Sequence, residues 1–424
     1  MNESITLKVL LLSTFDIRGG AARAAYRLHS GLREINVDSK MLVQQKSSDD
    51  WTVIAPETRL QMGIAKSRAT LDALPLRFYP KFNSYGSFFP QWLPDSLCHK
   101  VNRINPGVIN LHWISGGFLQ IETLPKFKQP IVLTLHDMWS FTGGCHYSQN
   151  CDRYVINCGR CPQLHSNQDQ DISRWTWERK AKAWESLDLT IVTPSKWLAD
   201  VAKKSSLLRD RSIKVIPYGI DTKIFRPIET KLARDLLQLP QDKYLVLFGA
   251  MRATSDLRKG WQFLKPTLDL LKQLGWQERL ELVVFGSSKP EFPENFGFPC
   301  HYLGELHDDL SLAVMYAAAD VLLVPSIQDN LPNTVIESIS CGTPCVGFQI
   351  GGIPDMIQHK KQGYVAQPFE CQDLANGIIW VLEDADRHKD LRLASRTKAE
   401  QDYGLCLQAE SYQKLFHQLL NSHH

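Results

Sequence analysis

The sequence predicts an α/β protein with two doubly wound, Rossmann-like domains, and three observations lead to this class. Short apolar runs rich in Val, Ile and Leu recur along the 424 residues, and amphipathic stretches separate them. The runs are continuous rather than alternating, which is typical of strands covered on both faces in parallel sheets. The chain is also longer than the ~250–300 residues at which a single core stops growing, so two domains are expected.

The strand and helix predictions follow this pattern in chain order. The predicted strands are Lys8–Ser13, Ser39–Val43, Val108–His112, Ile131–His136, Thr190–Pro194, Lys214–Pro217, Tyr244–Gly249, Glu281–Gly286, Cys300–Leu303, Val321–Pro325 and Cys345–Phe348. The predicted helices are Ala21–Glu34, Arg174–Leu187, Lys196–Lys204, Trp261–Leu274, Ser311–Ala319 and Gln372–Glu383. Strands that alternate with helices indicate a parallel sheet in each domain.

The predicted domain boundary lies near Ile216–Pro227, a segment rich in turn residues and without a helical period. We therefore assign residues 1–216 to an N-terminal domain with a Cys-rich insertion at about 143–163. Residues 217–402 are predicted to form a C-terminal domain, and residues 403–424 a helix that packs back on the rest of the molecule.

The segment Leu74–Pro94 breaks the pattern, because it is aromatic and basic and contains four prolines. One interpretation is a structured excursion of the first domain. The other is a surface that meets an acceptor or a membrane face, since Trp, Phe and basic residues suit that interface.

Composition and charge exclude several classes of protein. The formal charge of +3 is too small to indicate nucleic acid binding. No apolar run reaches the ~18 residues that would suggest a membrane span, and the N-terminus does not resemble a secretory signal. The cytoplasm is the expected compartment, with peripheral attachment at the inner membrane face left open.

The first candidate site is the turn TFDIRGGAARAA after the first strand. Gly19 and Gly20 stand between a strand and a helix, where backbone N–H groups can approach a phosphate or a sugar. The pattern is not GxGxxG, so dinucleotide binding is not indicated. A tight turn that merely requires glycine is the alternative.

The second candidate is His136, followed by Asp137, at the end of the strand that begins at Ile131. Open α/β sheets bind ligands at the carboxyl ends of their strands, so this histidine is predicted to face a cleft. A structural histidine within the core is the alternative.

The third candidate is a cluster of four cysteines within 17 residues, spaced C-x5-C-x6-C-x2-C. They are Cys145, Cys151, Cys158 and Cys161. Four thiolates could close a structural Zn²⁺ site, with His146 able to replace one of them. Free or redox-labile thiols and disulfides are the alternatives.

The fourth candidate is the stretch LFGAMRATSDLRKGWQF, in which a strand ends at Gly249 and a helix follows. Arg252, Arg258 and Lys259 lie in the loop between them. Cations at this position are well placed to neutralise a diphosphate, and a solvated basic loop is the alternative.

The fifth candidate is QDNLPNTVIE, where a loop holding Asp329 leads through Pro332 into a helix that carries Glu337. The N–H groups of Asn333, Thr334 and Val335 are predicted to form an anion site in the first helical turn. The two carboxylates are then expected to contact opposite ends of one extended ligand.

Together these segments resemble the retaining glycosyltransferases of the GT-B fold, family 4. QDNLPNTVIESISCGTPCVGFQIGGIPDMI is similar to that family's E-x7-E segment and the Gly-Gly turn after it, and IPYGIDTKIFRP to its interdomain segment. The run HDMWSFTGGCHYS…C…CGRCPQL resembles a bacterial subgroup that builds exopolysaccharide or cell-surface glycan. The resemblance covers nearly the whole chain and implies two domains that face a central cleft. It implies that residues 1–216 are the acceptor-side domain and that residues 217–402 bind the nucleotide sugar.

The resemblance also implies residue roles and partners. A nucleotide-sugar donor, UDP- or GDP-linked, would place its ribose on Glu337, its sugar on Asp329 and His136, and its diphosphate on Lys259. Gly19 and Gly20 match the glycine loop of the first domain. The acceptor would be a glycan or a lipid-linked glycan.

The implied chemistry is a metal-independent hexosyl transfer with retention, in which cations and a helix terminus stabilise the leaving group. The catalytic residues would be His136, Asp329 and Lys259. The family usually has Glu where this chain has Asp329, which leaves the donor sugar open. It usually has Arg at the position of Ala250, so either Arg252 or Arg258 must supply the second cation.

Two other functions fit the same fold. One is a GT-B epimerase, which would need no acceptor, or a phosphorylase, which would need inorganic phosphate. The other is a catalytically impaired GT-B scaffold that uses the cysteine cluster to hold a partner.

Overall fold

A computed structural model describes residues 7–82, 88–249, 257–286 and 295–422. The chain divides into two compact units. The first unit combines Met1–Gly219 with Leu405–His424, and the second is Ile220–Gly404. These divisions lie within three residues of the predicted boundaries at 216 and 402.

The strands are all short, as continuous apolar runs of this length predict. In chain order they are β1 (Lys8–Phe15), β2 (Asp38–Gln45), β3 (Val53–Ile54), β4 (Val108–Leu111), β5 (Ile131–Thr134), β6 (Leu189–Thr193), β7 (Ser212–Val215), β8 (Tyr244–Gly249), β9 (Leu280–Phe285), β10 (Cys300–Gly304), β11 (Val321–Val324), β12 (Cys345–Phe348) and β13 (Gly363–Ala366).

Helices follow most of the strands. They are α1 (Gly20–Glu34), α2 (Arg59–Asp72), α3 (Leu97–Ile104), α4 (Ile172–Trp184), α5 (Lys196–Lys204), α6 (Thr230–Leu237), α7 (Trp261–Gln273), α8 (Asp309–Ala318), α9 (Asn333–Ser340), α10 (Ile353–Met356), α11 (Cys371–Leu382), α12 (Ala385–Asp402) and α13 (Leu405–Ser422). Short 3-10 helices span Leu74–Phe78, Ile121–Lys126, Trp139–Phe141, Arg153–Val155, Pro162–Leu164 and Leu257–Lys259.

Each unit contains one parallel sheet. The first has the strand order β3-β2-β1-β4-β5-β6-β7, and the second has the order β10-β9-β8-β11-β12-β13. All neighbouring strands in both sheets run parallel. The prediction of two doubly wound α/β domains is therefore confirmed.

The first sheet is covered on both faces, which is the reason for its continuous apolar runs. Val9 and Leu11 of β1 join one hydrophobic cluster, while Leu10 and Leu12 join another. Successive side chains of a strand point to opposite faces, so both faces of this strand are core.

The C-terminal helix α13 packs against α1 in the first unit. Tyr412 and Phe416 of α13 are buried in the cluster that also contains Leu28 of α1. A Cβ atom at Gly31 of α1 would lie 2.9 Å from Cγ of Leu405, so glycine permits the close approach at the start of α13.

The aromatic segment 74–94 contributes to the core of the first unit. Leu76 and Phe88 form a small hydrophobic cluster with Cys161, Leu164 and Ile172. The structured-excursion interpretation accounts for these side chains. Within the described part of the chain, every helix is too short or too polar to cross a membrane.

Candidate functional site

Each sheet has a point at which the strand order reverses, and the predicted site residues flank these points. In the second unit β8 and β11 are neighbours, and the chain leaves them toward opposite edges of the sheet. The loops at the carboxyl ends of such strands diverge and leave a crevice where ligands bind in doubly wound folds. The loop after β8 carries Lys259, and the loop after β11 carries Asp329.

The loop segment 257–260 fits closely against the end of β11. The N–H of Ile327 donates to the carbonyl of Arg258 at 2.8 Å. Gly260 has φ +77°, and a Cβ atom there would lie 1.7 Å from the carbonyl oxygen of Pro325. Glycine at 260 is therefore required both by its backbone conformation and by the contact.

Asp329 lies between two cations. Its Oδ2 atom accepts a hydrogen bond from Nζ of Lys259 at 2.7 Å, and its Oδ1 atom lies 3.7 Å from a guanidinium nitrogen of Arg258. Arg258 also donates to the carbonyl of Gln328 at 3.2 Å. The structure thus brings three predicted site residues into direct contact.

The Asp329 carboxyl is buried but ionised. Burial by itself would raise its pKa, but the charges of Lys259 and Arg258 outweigh burial and hold the pKa below its usual value. The backbone of Asp329 is fixed as well, because its carbonyl accepts the N–H of Gly352 at 3.2 Å. A Cβ atom at Gly351, which has φ +53°, would lie 1.9 Å from the same carbonyl oxygen.

Glu337 lies in α9 as predicted, with only 3% of its surface exposed. The hydroxyl of Tyr316 in α8 donates to its Oε2 atom at 2.9 Å. Tyr316 is itself fully buried, so this hydrogen bond restricts the orientation of the Glu337 carboxylate. The carboxylate of Glu337 in helix α9 therefore has a fixed orientation.

The predicted anion site in the first turn of α9 needs one correction. The N–H of Val335 donates to the carbonyl of Pro332 at 3.0 Å, so it is not available to a ligand. A tight i to i+3 bond of this kind is a common way to satisfy the first N–H groups of a helix. Asn333 and Thr334 occupy the first two positions of the helix. Arg252 lies outside the described residues.

In the first unit, Gly19 and Gly20 form the turn between β1 and α1, as the sequence predicted. Gly19 is the N-cap residue of α1 and has φ +93°, a conformation that favours glycine. A Cβ atom at Gly19 would meet nothing within 4 Å, so the backbone there is open to approach.

His136 lies two residues beyond the end of β5 and is 9% exposed. Its Nε2 atom is 3.0 Å from Nδ1 of His112, and its Nδ1 atom is 2.7 Å from the hydroxyl of Tyr218. Burial lowers the pKa of His136 to about 4, so the ring is neutral at pH 7. Both ring nitrogens are thus engaged within the first unit.

Asp137 forms a second polar group beside His136. Its Oδ2 atom is 2.6 Å from Nδ1 of His146, and the indole N–H of Trp113 donates to it at 3.2 Å. The N–H of Trp139 donates to Oδ1 at 2.8 Å. The Nδ1 atom of His146 is therefore engaged, whereas its Nε2 atom is buried and has no hydrogen-bond partner among the described residues.

The four clustered cysteines line a single small cavity in the first unit. They are Cys145, Cys151, Cys158 and Cys161, and all four are free thiols. Burial raises the pKa of Cys158 to about 12 and that of Cys161 to about 11, so these two thiols are protonated. All four residues of the predicted metal site line this one cavity, but among the described residues they do not form a grouping close enough to hold a metal ion.

Several residues of these groups were missed from the sequence. Tyr316, His112 and Tyr218 act through hydrogen bonds to residues that are distant in the sequence, and no local pattern marks them. Lys180, which is fully buried beside Trp139, was also missed because its helix position alone resembles an ordinary solvated lysine.

The described geometry agrees with comparisons to known proteins. Residues 18–224 match the sequence model of Glycosyltransferase Family 4, and residues 242–384 match that of Glycosyl transferases group 1. The chain is 26% identical over 318 residues to the sulfoquinovosyl transferase SQD2 of Arabidopsis thaliana, covering 73% of this chain and 56% of that protein. It is 24% identical over 272 residues to WcaC of Escherichia coli, named for colanic acid biosynthesis, covering 60% of this chain and 62% of that protein.

Solved structures show the same fold. A sucrose-phosphate synthase from Thermosynechococcus elongatus aligns with a TM-score of 0.69 at 18% identity, covering 98% of this chain and 100% of that one. Anabaena HepE in complex with UDP-glucose aligns with a TM-score of 0.63 at 14% identity, covering 97% of this chain and 100% of that one. At these identities the likeness concerns the fold, which is GT-B.

Proposed function

The chain pairs a Glycosyltransferase Family 4 domain with a Glycosyl transferases group 1 domain, and we propose that it transfers a hexose from a nucleotide-sugar donor. The acceptor is a glycan or a lipid-linked glycan. The observation that carries this proposal is the contact of Asp329 with Lys259 and Arg258 at the strand-order reversal of the second unit.

Lys259 and Arg258 supply the positive charge that would stabilise the negative charge of a nucleoside diphosphate. Lys259 and Arg258 stand side by side, and their side chains are 36% and 22% exposed, so a phosphate can reach them. The carboxylate of Asp329 is the negative partner of both cations. A bound diphosphate would take over the cations and leave the carboxylate oriented for the hydroxyl groups of the sugar.

Glu337 fits the nucleoside end of the same donor. Its carboxylate is held by Tyr316, and an ionised carboxylate can accept two hydrogen bonds from the hydroxyls of a ribose. The helix that carries Glu337 begins only four residues after Asp329, so both carboxylates lie at one end of the sheet.

The reaction breaks the bond between the anomeric carbon and the phosphate oxygen and forms a bond to an acceptor oxygen. The electron pair of the broken bond stays on the nucleoside diphosphate, whose charge Lys259 and Arg258 stabilise. The proton of the acceptor hydroxyl passes to the departing phosphate oxygen. With attack on the same face of the sugar, the anomeric configuration is retained, and the stabilisation is electrostatic rather than acid catalysis.

The comparisons support the choice of donor and of biological role. HepE was solved with UDP-glucose, and WcaC is named for the synthesis of a polysaccharide. We therefore propose a UDP- or GDP-sugar as the donor and cell-surface or exopolysaccharide synthesis as the role. The side chain of Phe78, 86% exposed in the segment 74–94, fits peripheral contact with the membrane face that carries such acceptors.

The two family descriptions both name glycosyl transfer, which favours this function over the epimerase, phosphorylase and scaffold alternatives. We also propose that no catalytic metal is required, since two cations already face the position of the diphosphate.

Glu337→Gln tests the donor site. This variant keeps the shape of the side chain but removes a charged acceptor, which is worth ~1.5–3 kcal/mol for a hydrogen bond to a charged group. We expect the affinity for the preferred donor, chosen from a panel of UDP-, GDP- and ADP-sugars, to fall about 10- to 100-fold in calorimetry.

The matched control is Glu278→Gln, since Glu278 is exposed in the same unit. It should bind the donor as the wild type does. If Glu337→Gln binds the donor as tightly as the control does, Glu337 is not a donor contact. If the wild type neither binds nor hydrolyses any nucleotide sugar in the panel, the proposed function is wrong.

A further inference from the structure

The cysteine cluster forms a site that glycosyl transfer does not use. A cavity of about 20 Å³ is lined by all four cysteines of the segment 145–161. A space of ~10–15 Å³ is enough for one water molecule, so this cavity suits a single guest of atomic size. The other six cysteines lie elsewhere in the chain; they are Cys98, Cys300, Cys341, Cys345, Cys371 and Cys406.

The turn between Cys158 and Cys161 has an unusual backbone conformation. Three consecutive residues have positive φ: Cys158 at 54°, Gly159 at 87° and Arg160 at 44°. For residues other than glycine this conformation is unfavourable, and it persists only where the surroundings stabilise it. The turn brings both of its thiols to the wall of one cavity.

A backbone donor already faces one of these sulfur atoms. The N–H of Gly143 points at Sγ of Cys158 from 3.1 Å. A Cβ atom at Gly143 would lie 2.2 Å from the carbonyl oxygen of Ser173, so glycine is required for this approach. Hydrogen bonds of this kind stabilise a thiolate more than a thiol, because the charged acceptor is the stronger one.

Lys180 supplies the second, independent observation. It is fully buried, and its ammonium group donates to the carbonyls of Trp139 and Thr142 and lies 3.5 Å from the centre of the Trp139 ring. Among the described residues no carboxylate lies within ion-pair distance of it. Burial lowers the pKa of Lys180 to about 7, whereas negative charge on the neighbouring Cys158, Cys145 or Asp137 favours its charged form.

A buried cation without a counter-charge is unfavourable, so a negative group beside Lys180 would favour its charged form. The carboxylate of Asp137 is already engaged by His146 at 2.6 Å. The thiols of Cys145 and Cys158 are therefore the groups that can supply negative charge near Lys180. They do so only if something displaces their protons.

We propose that Cys145, Cys151, Cys158 and Cys161 bind one Zn²⁺ ion as thiolates, and that a charged Lys180 offsets one of the two negative charges that remain on the complex. In the described residues the thiols surround the cavity without the close grouping of a metal site, so the ion must draw them inward. Zinc binding releases the thiol protons, and four protein ligands leave no open position. The site is therefore structural and stabilises the loop that carries His146.

The test uses the purified full chain and does not depend on sugar transfer. We expect about one zinc ion per chain by mass spectrometric metal analysis, the value for a closed single-ion site. Replacement by Co²⁺ should give the visible absorption of tetrahedral cobalt thiolate. Cys158→Ser and Cys161→Ser should each lose most of the metal, whereas the control Cys406→Ser, at an exposed cysteine, should keep it.

Lys180→Gln separates the charge of Lys180 from its hydrogen bonds, since the amide can still donate to both carbonyls. We expect zinc affinity, measured by competition with a chelator, to fall about 10- to 100-fold, as for other groups that support metal ligands. Should any cysteine variant fail to fold, the cobalt spectrum and the metal content of the wild type still decide.

Three results would overturn the proposal. They are a wild-type metal content far below one equivalent with no cobalt spectrum, a disulfide within the segment 145–161 shown by intact mass, and full zinc content in both Cys158→Ser and Cys161→Ser.

Discussion

The contact of Asp329 with Lys259 allows a prediction about charge. Asp329→Asn keeps the shape of the side chain and removes its negative charge. The wild-type carboxylate accepts from Lys259 at 2.7 Å and lies 3.7 Å from Arg258, and it is 6% exposed. The substitution leaves both cations without this partner.

The stability change follows from that geometry. A hydrogen bond between charged groups contributes ~1.5–3 kcal/mol, but Lys259 is 36% exposed and solvent screens part of the attraction. We therefore expect Asp329→Asn to lower the free energy of unfolding by about 1–2 kcal/mol at pH 7, measured by urea denaturation.

The pH dependence has a definite sign. The folded protein holds the pKa of Asp329 below its unfolded value of ~3.9, so the carboxylate stabilises the fold above that pH. The difference in unfolding free energy between wild type and Asp329→Asn should be constant near neutrality. It should shrink as the pH falls through about 4 toward the folded pKa.

The same variant should strengthen the binding of a nucleotide but abolish sugar transfer. Without the carboxylate, Lys259 and Arg258 are free to bind a diphosphate, so UDP or GDP should bind more tightly by up to about tenfold, or ~1.4 kcal/mol. Sugar transfer should be lost, because the contact to the sugar is gone. Weaker nucleotide binding in Asp329→Asn would refute this account of the cluster.

The control is Asp242→Asn in the same unit. Asp242 lies 3.9 Å from Lys243, and its side chain is 79% exposed. An ion pair in that setting contributes little to stability. A loss equal to that of Asp329→Asn would show that charge removal itself, rather than the buried contact, lowers stability.

Two further predictions concern stability. Gly260→Ala should lower the free energy of unfolding by more than ~2 kcal/mol, because a Cβ atom meets the Pro325 carbonyl at 1.7 Å; Gly275→Ala, with a similar φ of +81° and nothing within 4 Å, should cost only ~1 kcal/mol. Equal losses in urea denaturation would show that backbone conformation alone matters. His29 is buried, and burial lowers its pKa to about 4, so its contribution to stability is present above ~6.5 and is lost as the pH falls toward 4. His29→Gln should flatten the pH dependence of unfolding over that interval by about one proton; an unchanged slope would contradict this.

Much of the fold could be predicted from the sequence because the core-forming strands are continuous apolar runs. Two strands were missed for physical reasons: β3 has only two residues, and β13 begins with Gly363 and packs at the sheet edge. Helix α12 was missed because it is strongly polar. It buries only a narrow stripe of side chains, so the sequence shows no clear helical period of apolar residues. The buried residues are Leu391, Ser395 and Ala399.

The sequence predicted which residues belong to the site, but not which of them contact each other. Lys259 and Asp329 are 70 positions apart in the sequence. The local pattern around each residue could indicate that it lies near a ligand, but it could not indicate that the two residues contact each other. The error at Val335 has a local cause, since its N–H closes a tight turn onto Pro332 that a helical pattern does not reveal. Lys180 could not be found because its burial is a property of the packed structure.

Several of the predicted and missed residues share one topological cause. In both units they follow the two strands at which the order reverses, with Gly19 after β1 and His112 after β4, Lys259 after β8 and Asp329 after β11; His136, which follows β5, is an exception. A sequence can show that polar residues follow a buried strand, but the reversal depends on which strands pair, and that is decided by packing across the sheet. Strand order thus converts separate loop residues into one site, and it explains why a pair of carboxylates eight positions apart is completed by a lysine from a loop 70 positions away.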